Sequence, residues 1–330
     1  MQHSVDYIIV GFGLAGAILA FKCWKKNKSF VIYDSPHSAS AGSISSGLIN
    51  PITGRRFVKS WQYDQLVTTL IKTYSQIEQE FDVELLSEIT IQRSLFTIKD
   101  ENLWTTISQN EPKYCLFNDD DSPWDTIVKH SHSKGIIKGY QLNAPFLLDT
   151  LATHFVDNIV NENLDHEALT INSTGVSYHN LSAQKLIFCE GWHASNNPFF
   201  QSIEFEPAKG EVLIVRIPGF ESTRILKDKV FLVHMENDLY WVGSTYEWTD
   251  LNDKPTKEKR EEIETILKNL LNVPFEVIDQ LAGVRPSIKQ RRPVAIVHPE
   301  HPSLLFFNGL GTKGASLAPY FANKIMELIS

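Results

Sequence analysis

The sequence is poor in sulfur. Among its 330 residues are three cysteines, Cys23, Cys115 and Cys189, and three methionines. The cysteines lie far apart and form no CxxC pair, so a disulfide framework and a zinc-ribbon spacing are both excluded. Cys23 and Cys189 fall in apolar stretches and are expected as small core residues in a reducing compartment. No apolar run nears the ~20 residues that a membrane helix needs. Positive charge is also scarce. A formal net charge of -8 argues against a broad nucleic-acid or anionic-membrane surface, though not against a local basic pocket. The first apolar strand begins almost at once and leaves no room for a signal peptide, so a cytoplasmic location is expected. The sequons Asn172-Ser173-Thr174 and Asn180-Leu181-Ser182 carry no weight without secretion. His130, His132, His298 and His301 stand among loop residues, and no metal site is expected. What remains is ordinary for a globular enzyme, with 42% hydrophobic and 21% charged residues, and the chain is long enough for two domains.

The most informative stretch is Val5-Asp6-Tyr7-Ile8-Ile9-Val10-Gly11-Phe12-Gly13-Leu14-Ala15-Gly16. Its Ile/Val run reads as a buried parallel strand, and residues 15–24 read as a helix. Gly-x-Gly-x-x-Gly between them has the strand–turn–helix context of a dinucleotide site. Gly11 permits the tight turn, Gly13 lets a pyrophosphate approach the backbone, and Gly16 lets helix and strand pack closely. The N–H groups that open the helix at Leu14 and Ala15 face the phosphates. Residues 30–34 form a second strand ending on Asp34. That acid stands about twenty residues beyond the first glycine, where a ribose hydroxyl would be bound. The small polar stretch 35–51 is either a flexible linker or an ordered loop along the same cofactor, contacting it through Ser35, Ser46 and Gly47. Thr53-Gly54-Arg55-Arg56 then offers either phosphate or substrate contacts or solvated charges.

Further on, residues 63–81 carry Leu66, Leu70, Ile77 and Phe81 on one face and predict a helix. Residues 84–99 alternate as strands, with 94–98 among them, and 118–123 read as a solvated acidic turn. Residues 135–140 predict a short strand, and Asn143 caps a helix over 145–155. Residues 185–192 are an apolar strand that reaches Gly191 and returns the chain to the first sheet. Strands at 211–216, 230–234 and 239–243 predict an antiparallel sheet. Thr256 caps an amphipathic helix ending near Leu271. Gly283-Val284-Arg285-Pro286 precedes a loop, and residues 303–307 read as a buried strand. Asn308-Gly309-Leu310-Gly311-Thr312-Lys313-Gly314-Ala315 then opens a last helix that runs to Ile329. Pro319 is tolerated in a first turn and kinks the helix otherwise. A second glycine-rich turn, at Gly309, Gly311, Thr312, Lys313 and Gly314, lets one chain hold both ends of a long cofactor.

These pieces, in this order, resemble the D-amino-acid oxidase family of flavoproteins, and within it the glycine oxidase and sarcosine oxidase branch. The matching residues are Gly11 to Gly16 with Asp34, residues 40–51, Pro207-Ala208-Lys209-Gly210-Glu211-Val212, Val242-Gly243-Ser244-Thr245-Tyr246-Glu247, Gly283 to Pro286, and residues 308–319. The resemblance implies an α/β plus α+β fold. A Rossmann-like FAD/NAD(P)-binding domain of the glutathione reductase kind would be discontinuous, over residues 1–60, 143–200 and 286–330. A mixed, largely antiparallel substrate domain would take residues 61–142 and 201–285. The implied cofactor is FAD. Asp34 stands where the family commonly has Glu, and the chain is shorter than typical members. Arg285 matches the arginine of the Gly-x-Arg-Pro motif that binds a substrate carboxylate, a role that suits a guanidinium fork. The other reading of Arg285 is an interdomain salt bridge. Tyr246 is either a pocket residue or sheet packing, and Lys313 either a stabiliser of the reduced flavin or a solvated lysine.

The expected reaction oxidises the C–N bond of an amino acid or related amine bearing a carboxylate, by hydride transfer to flavin N5. Arg285 would aim the substrate. N–H groups from Gly311 to Gly314, the helix dipole and Lys313 would stabilise the negative charge of the reduced ring. The expected partner is this small molecule, with no nucleic acid and no membrane span; the oligomeric state is not legible. Four alternatives stay open. They are a dehydrogenase of the same fold passing electrons to a quinone or carrier, the flavin domain of a tRNA-modifying enzyme, a flavin-holding redox protein without turnover, and a nicotinamide dehydrogenase. The acidic charge disfavours the second, and the distant second glycine turn disfavours the last.

Overall fold

A computed structural model describes residues 3–35, 40–117, 121–130, 132–172 and 175–330. Parts of the expected cofactor loop (36–39), of the acidic turn (118–120) and of the first sequon (173–174) lie outside the described residues.

Two sheets organise the chain. Among the described residues the first has eight strands. At its centre His3–Val10 runs parallel to Phe30–Tyr33 on one side and Leu181–Phe188 on the other, and Leu304–Asn308 runs parallel beyond the latter. Side chains alternate between two cores, as the two-residue period of a strand demands. Ile9, Ile32, Ile187, Leu305 and Phe307 meet the helices Leu14–Lys25 and Gly314–Leu328. Ile8, Val10, Leu186, Phe188 and Phe306 meet Ala194 and Phe200 on the opposite face. Both faces are therefore covered, which is why these strands read as continuous apolar runs. Cys23 Sγ lies 3.7 Å from Met326 Sδ, and its role is packing between the two helices. The strands Leu169–Asn172, Gly175–Tyr178 and Val294–Val297 join antiparallel.

Among the described residues the second sheet has nine strands. Its order begins Glu276–Arg285, Ala208–Arg216, Leu239–Gly243, Phe231–His234, Arg224–Lys227, Leu86–Leu95, Ser133–Leu142. Every pairing in it is antiparallel except that of Arg224–Lys227 with Leu86–Leu95. The fold is thus a mixed α/β fold, with a parallel-centred sheet and a largely antiparallel one. No helix among the described residues is long and apolar enough to cross a membrane.

Several local expectations need correction. Of residues 94–98 only Ser94 and Leu95 belong to a strand. Leu86–Leu95 ends, and Thr97 caps the helix Ile98–Asn110. Thr97 Oγ1 accepts from the Asp100 N–H at 3.1 Å, and the Asp100 carboxylate accepts from the Thr97 N–H at 3.1 Å, a capping box. Only Trp104 of this helix is fully buried, so the sequence shows no apolar stripe there. Its indole fills the space above Gly135, where a Cβ would lie 2.2 Å from the ring. The strands Arg224–Lys227 and Glu276–Arg285 were not legible either.

Pro319 is the sixth residue of Gly314–Leu328, outside the first turn. Its ring removes the N–H that the Ala315 carbonyl would accept. Tyr74, fully buried on the helix Tyr63–Phe81, donates its hydroxyl to that carbonyl at 2.6 Å. The tyrosine supplies the donor that proline lacks. Tyr74→Phe keeps the shape and strips the donor, and it should cost about 1–3 kcal/mol, read from the urea midpoint. An unchanged midpoint would show that the carbonyl has no need of the phenol.

Candidate cofactor and substrate site

One cavity of about 1570 Å³ is lined by residues of both sheets. It exceeds the ~300–1,000 Å³ of a single small-ligand pocket and has room for a long cofactor with a substrate. Gly11, Gly13, Leu14, Ala15, Asp34, Ser35, Ser46, Gly47, Gly191, Gly309, Gly311, Thr312, Lys313, Gly314, Tyr246 and Arg285 all line it; Gly16 does not. A Cβ on Gly16 would lie 1.9 Å from the Gly11 carbonyl oxygen, so that glycine serves the packing beneath the turn.

Gly11 has φ 96°, and a Cβ there would meet the Cys189 carbonyl oxygen at 2.5 Å. Gly13 is different. It caps the helix Leu14–Lys25, and a Cβ on it would meet nothing within 4 Å. The backbone there is open to a ligand. The Phe12 N–H donates to Asp34 Oδ1 at 2.9 Å, so the turn itself holds the acid at the cavity wall. The first turn of this helix carries no acidic side chain to offset its dipole.

The second glycine turn lies beside the first. Leu14 Cδ1 is 2.9 Å from where a Cβ of Gly314 would be, which sets the two helix N-termini side by side. Asn308, absent from the expected contacts, links the second turn to Gly191, just past the strand Leu181–Phe188. Its Nδ2 donates to the Gly191 carbonyl at 2.9 Å and its Oδ1 accepts from the Gly309 N–H at 2.8 Å. An asparagine at a strand end before glycine is the signal that could have found it. The N–H groups expected to face the reduced ring need a correction. Gly311 donates to the Pro286 carbonyl at 3.2 Å and Lys313 to the Leu310 carbonyl at 3.1 Å. Thr312 and Gly314 are therefore the amides this turn can present. Lys313 is half-buried rather than solvated, and its Nζ donates to Ser60 Oγ at 3.1 Å. Burial, and then the nearby Arg292, lower its pKa.

On the other wall, the Arg285 guanidinium lies over Gly210, where a Cβ would stand 1.9 Å from Nη2. Nη1 donates to the carbonyls of Ala208 (3.4 Å) and Lys209 (3.2 Å). Nη2 donates to Ser244 Oγ (2.6 Å) and the Thr245 carbonyl (3.2 Å). The Tyr246 ring sits 4.4 Å from the guanidinium carbon, and Trp248 stacks on Tyr246 at 6.0 Å. The two rings are 49% and 63% exposed, so they stand at the cavity mouth rather than in sheet packing. Among the described residues no carboxylate pairs with Arg285, so it is not an interdomain salt bridge. Burial lowers its pKa, yet a guanidinium stays charged.

A buried network pins the loop that carries those rings. Lys209, with no exposed surface, donates to Asp250 Oδ2 and Asn252 Oδ1, each at 2.9 Å. Glu211 accepts from the Thr256 N–H (2.7 Å), Thr256 Oγ1 (2.9 Å) and Gln280 Nε2 (2.8 Å). Buried charges persist only when paired in this way. Among the described residues no group of three or more His, Cys, Asp or Glu side chains could hold a metal ion.

Two glycine substitutions separate architecture from ligand approach. Gly11→Ala forces a positive φ and a backbone clash, and should destabilise the fold by more than ~1 kcal/mol. Gly13→Ala should leave the thermal midpoint of the cofactor-free protein nearly unchanged and weaken FAD binding at least about tenfold, followed by flavin fluorescence. Unaltered FAD affinity in Gly13→Ala would remove that glycine from the site.

Comparison with known proteins agrees with this geometry. The family described as FAD dependent oxidoreductase (DAO) matches residues 6–328. A glycine oxidase of Bacillus licheniformis is 33% identical over 128 residues, which is 38% of this chain and 35% of that protein. The chain thus spans about a third of the length of the curated relative it matches. The solved glycine oxidase from Geobacillus kaustophilus superposes with a TM-score of 0.84 at 17% identity, covering 99% of this chain and 95% of that one. An iminodiacetate oxidase from Chelativorans sp. BNC1 gives 0.80 at 16% identity, covering 98% and 95%. Those two likenesses concern the fold alone. The family match, which runs from the first strand to the last helix, decides the assignment: the chain belongs to the DAO family of FAD dependent oxidoreductases.

Proposed function

We propose that the protein oxidises the C–N bond of an amino acid or related amine carrying a carboxylate. The observation that carries this reading is Arg285, a cation in the cavity wall with no carboxylate partner among the described residues and an aromatic face beside it. Bound FAD supplies the acceptor for the two electrons that leave the C–N bond. The chain's residues do the rest. Gly13, Leu14 and Ala15 would hold the pyrophosphate at a helix N-terminus. Asp34 would take the ribose, and Ser35, Ser46, Gly47, Gly191 and Gly309 would flank the cofactor's length. Thr312 and Gly314, with Lys313 beside them, would face the ring edge that gains negative charge.

Arg285 would receive the substrate carboxylate by exchange. Its two Nη1 bonds to carbonyls are long, at 3.2 and 3.4 Å, and charge-assisted bonds to a carboxylate are about twice as strong as neutral ones. The Lys209 carbonyl keeps a second donor, the Glu247 N–H at 3.0 Å. Tyr246 and Trp248 would close the mouth over the bound amine and exclude water. The same reading assigns residues 1–60, 143–200 and 286–330 to the cofactor and 61–142 and 201–285 to the substrate. The membership of the two sheets supports that division, apart from Leu48–Ile49, which pairs with Tyr140 and Gln141 of the second sheet.

Anaerobic mixing tests the proposal. The flavin of the loaded protein should bleach with an amino acid or N-substituted amino acid. Arg285→Ala should lower kcat/KM about a hundredfold, the scale of a lost charge-assisted pair, and Arg285→Lys should recover part of it. Bleaching at the wild-type rate in Arg285→Ala would overturn the role of that residue. A loaded protein that no carboxylate-bearing amine bleaches would overturn the function.

A further inference from the structure

A second cationic pole stands in the same cavity. The strand register aligns Val212, Gly243, Phe231, Lys227 and Arg93 in one row across the second sheet. Lys227 and Arg93 are direct neighbours on the parallel strands Arg224–Lys227 and Leu86–Leu95, and both line the cavity. Like charges placed opposite one another across strands destabilise a sheet. Their protein partners do not offset this. Arg93 Nη2 donates to the Gly54 carbonyl at 3.3 Å, and its buried Nε has no acceptor. Lys227 Nζ donates to the Lys229 carbonyl at 2.9 Å. Each cation rests on a ring, Arg93 on Phe57 at 4.7 Å and Lys227 on Phe231 at 4.6 Å. Among the described residues neither has a carboxylate within ion-pair distance. Asp100 and Asp228 act on them only through space, and neither acid lines the cavity. Burial, and then Arg93, pull the Lys227 pKa down to about 8. A half-buried pair of like charges with a buried, unbonded N–H is a site that lacks its counter-charge.

We infer that Arg93 and Lys227 bind a second anionic group of the substrate, at the end remote from the carboxylate held by Arg285. This rests on the proposed amine oxidation and narrows its substrate class to amines with an anionic group, carboxylate or phosphate, at each end. The span is set by the sheet. The Arg285 guanidinium lies over Gly210, and Lys227 is three strands away, about 15 Å at the backbone. An amino acid with a short acidic side chain does not bridge that distance. A longer, flexible chain or a phosphorylated body does.

Ligand binding to the FAD-loaded protein tests this without turnover, followed by the change in the flavin absorbance spectrum. Sebacate, a diacid, should bind at least about tenfold tighter than decanoate of the same length. The advantage should vanish in Arg93→Gln and in Lys227→Met, two variants that serve as checks on each other's folding through their FAD content. Inorganic phosphate should weaken sebacate binding and spare decanoate if the pole takes phosphate, and should leave both unchanged if it takes only carboxylates; either pattern supports the pole when the diacid's advantage is lost in the variants. Equal affinity for the diacid and the monoacid, or an advantage that survives both variants, overturns it. Decanoate affinity in Arg285→Ala reports separately on the first pole, so failure of the underlying reading is distinguishable from failure of the second site.

Discussion

Leu14 occupies the space that a side chain on Gly314 would require, and the site depends on that contact. It brings together the starts of two helices that lie at opposite ends of the sequence. Both helices then aim their positive ends into one cavity rather than two. Apolar burial further along holds the pair in register, through Cys23 against Met326. A third helix contributes Tyr74, whose hydroxyl satisfies the carbonyl that Pro319 abandons. The positioning of the amides proposed to face the phosphates is therefore a consequence of core packing.

The second sheet is held against the first by the loop between them. The Ile44 side chain packs over Gly283, where a Cβ would lie 2.7 Å from it, and the Ile44 carbonyl accepts from Trp241 Nε1 at 2.9 Å. Lys313 reaches across to Ser60. Arg93, Lys227 and Arg285 of the second sheet line the same cavity as the glycine turns. The chain as a whole is acidic, so the sign of the cavity wall is a local property, set by which strands neighbour one another. A low-dielectric wall makes such cations far more effective than they would be on the surface.

How much of this was legible follows from how local each signal is. Gly11 and Gly13 impose steric demands within one turn, and their spacing alone identified it. Asn143 and Thr256 announce helix starts because a cap acts over three residues. The helix Ile98–Asn110 was hidden because Trp104 alone of it is buried, with Leu103 and Ile107 only partly covered against the core. The Arg93 and Lys227 pair was hidden because only the pairing of strands far apart in sequence makes them neighbours. The occupied amides of Gly311 and Lys313 were likewise invisible, since the Gly311 acceptor, Pro286, sits in a separate loop. Arg285 was found by its motif, but the four acceptors around its terminal nitrogens belong to two other segments of the second sheet.

The central claim is that one cofactor molecule spans both glycine turns and presents its ring to the wall that holds Arg285. A crystal structure of the protein saturated with FAD measures this directly. The account predicts the pyrophosphate against the Leu14 and Ala15 amides and the ring system between the Thr312–Gly314 turn and Arg285, in one continuous ligand. A ligand whose two ends occupy unconnected hollows, or whose ring faces away from Arg285, would contradict it.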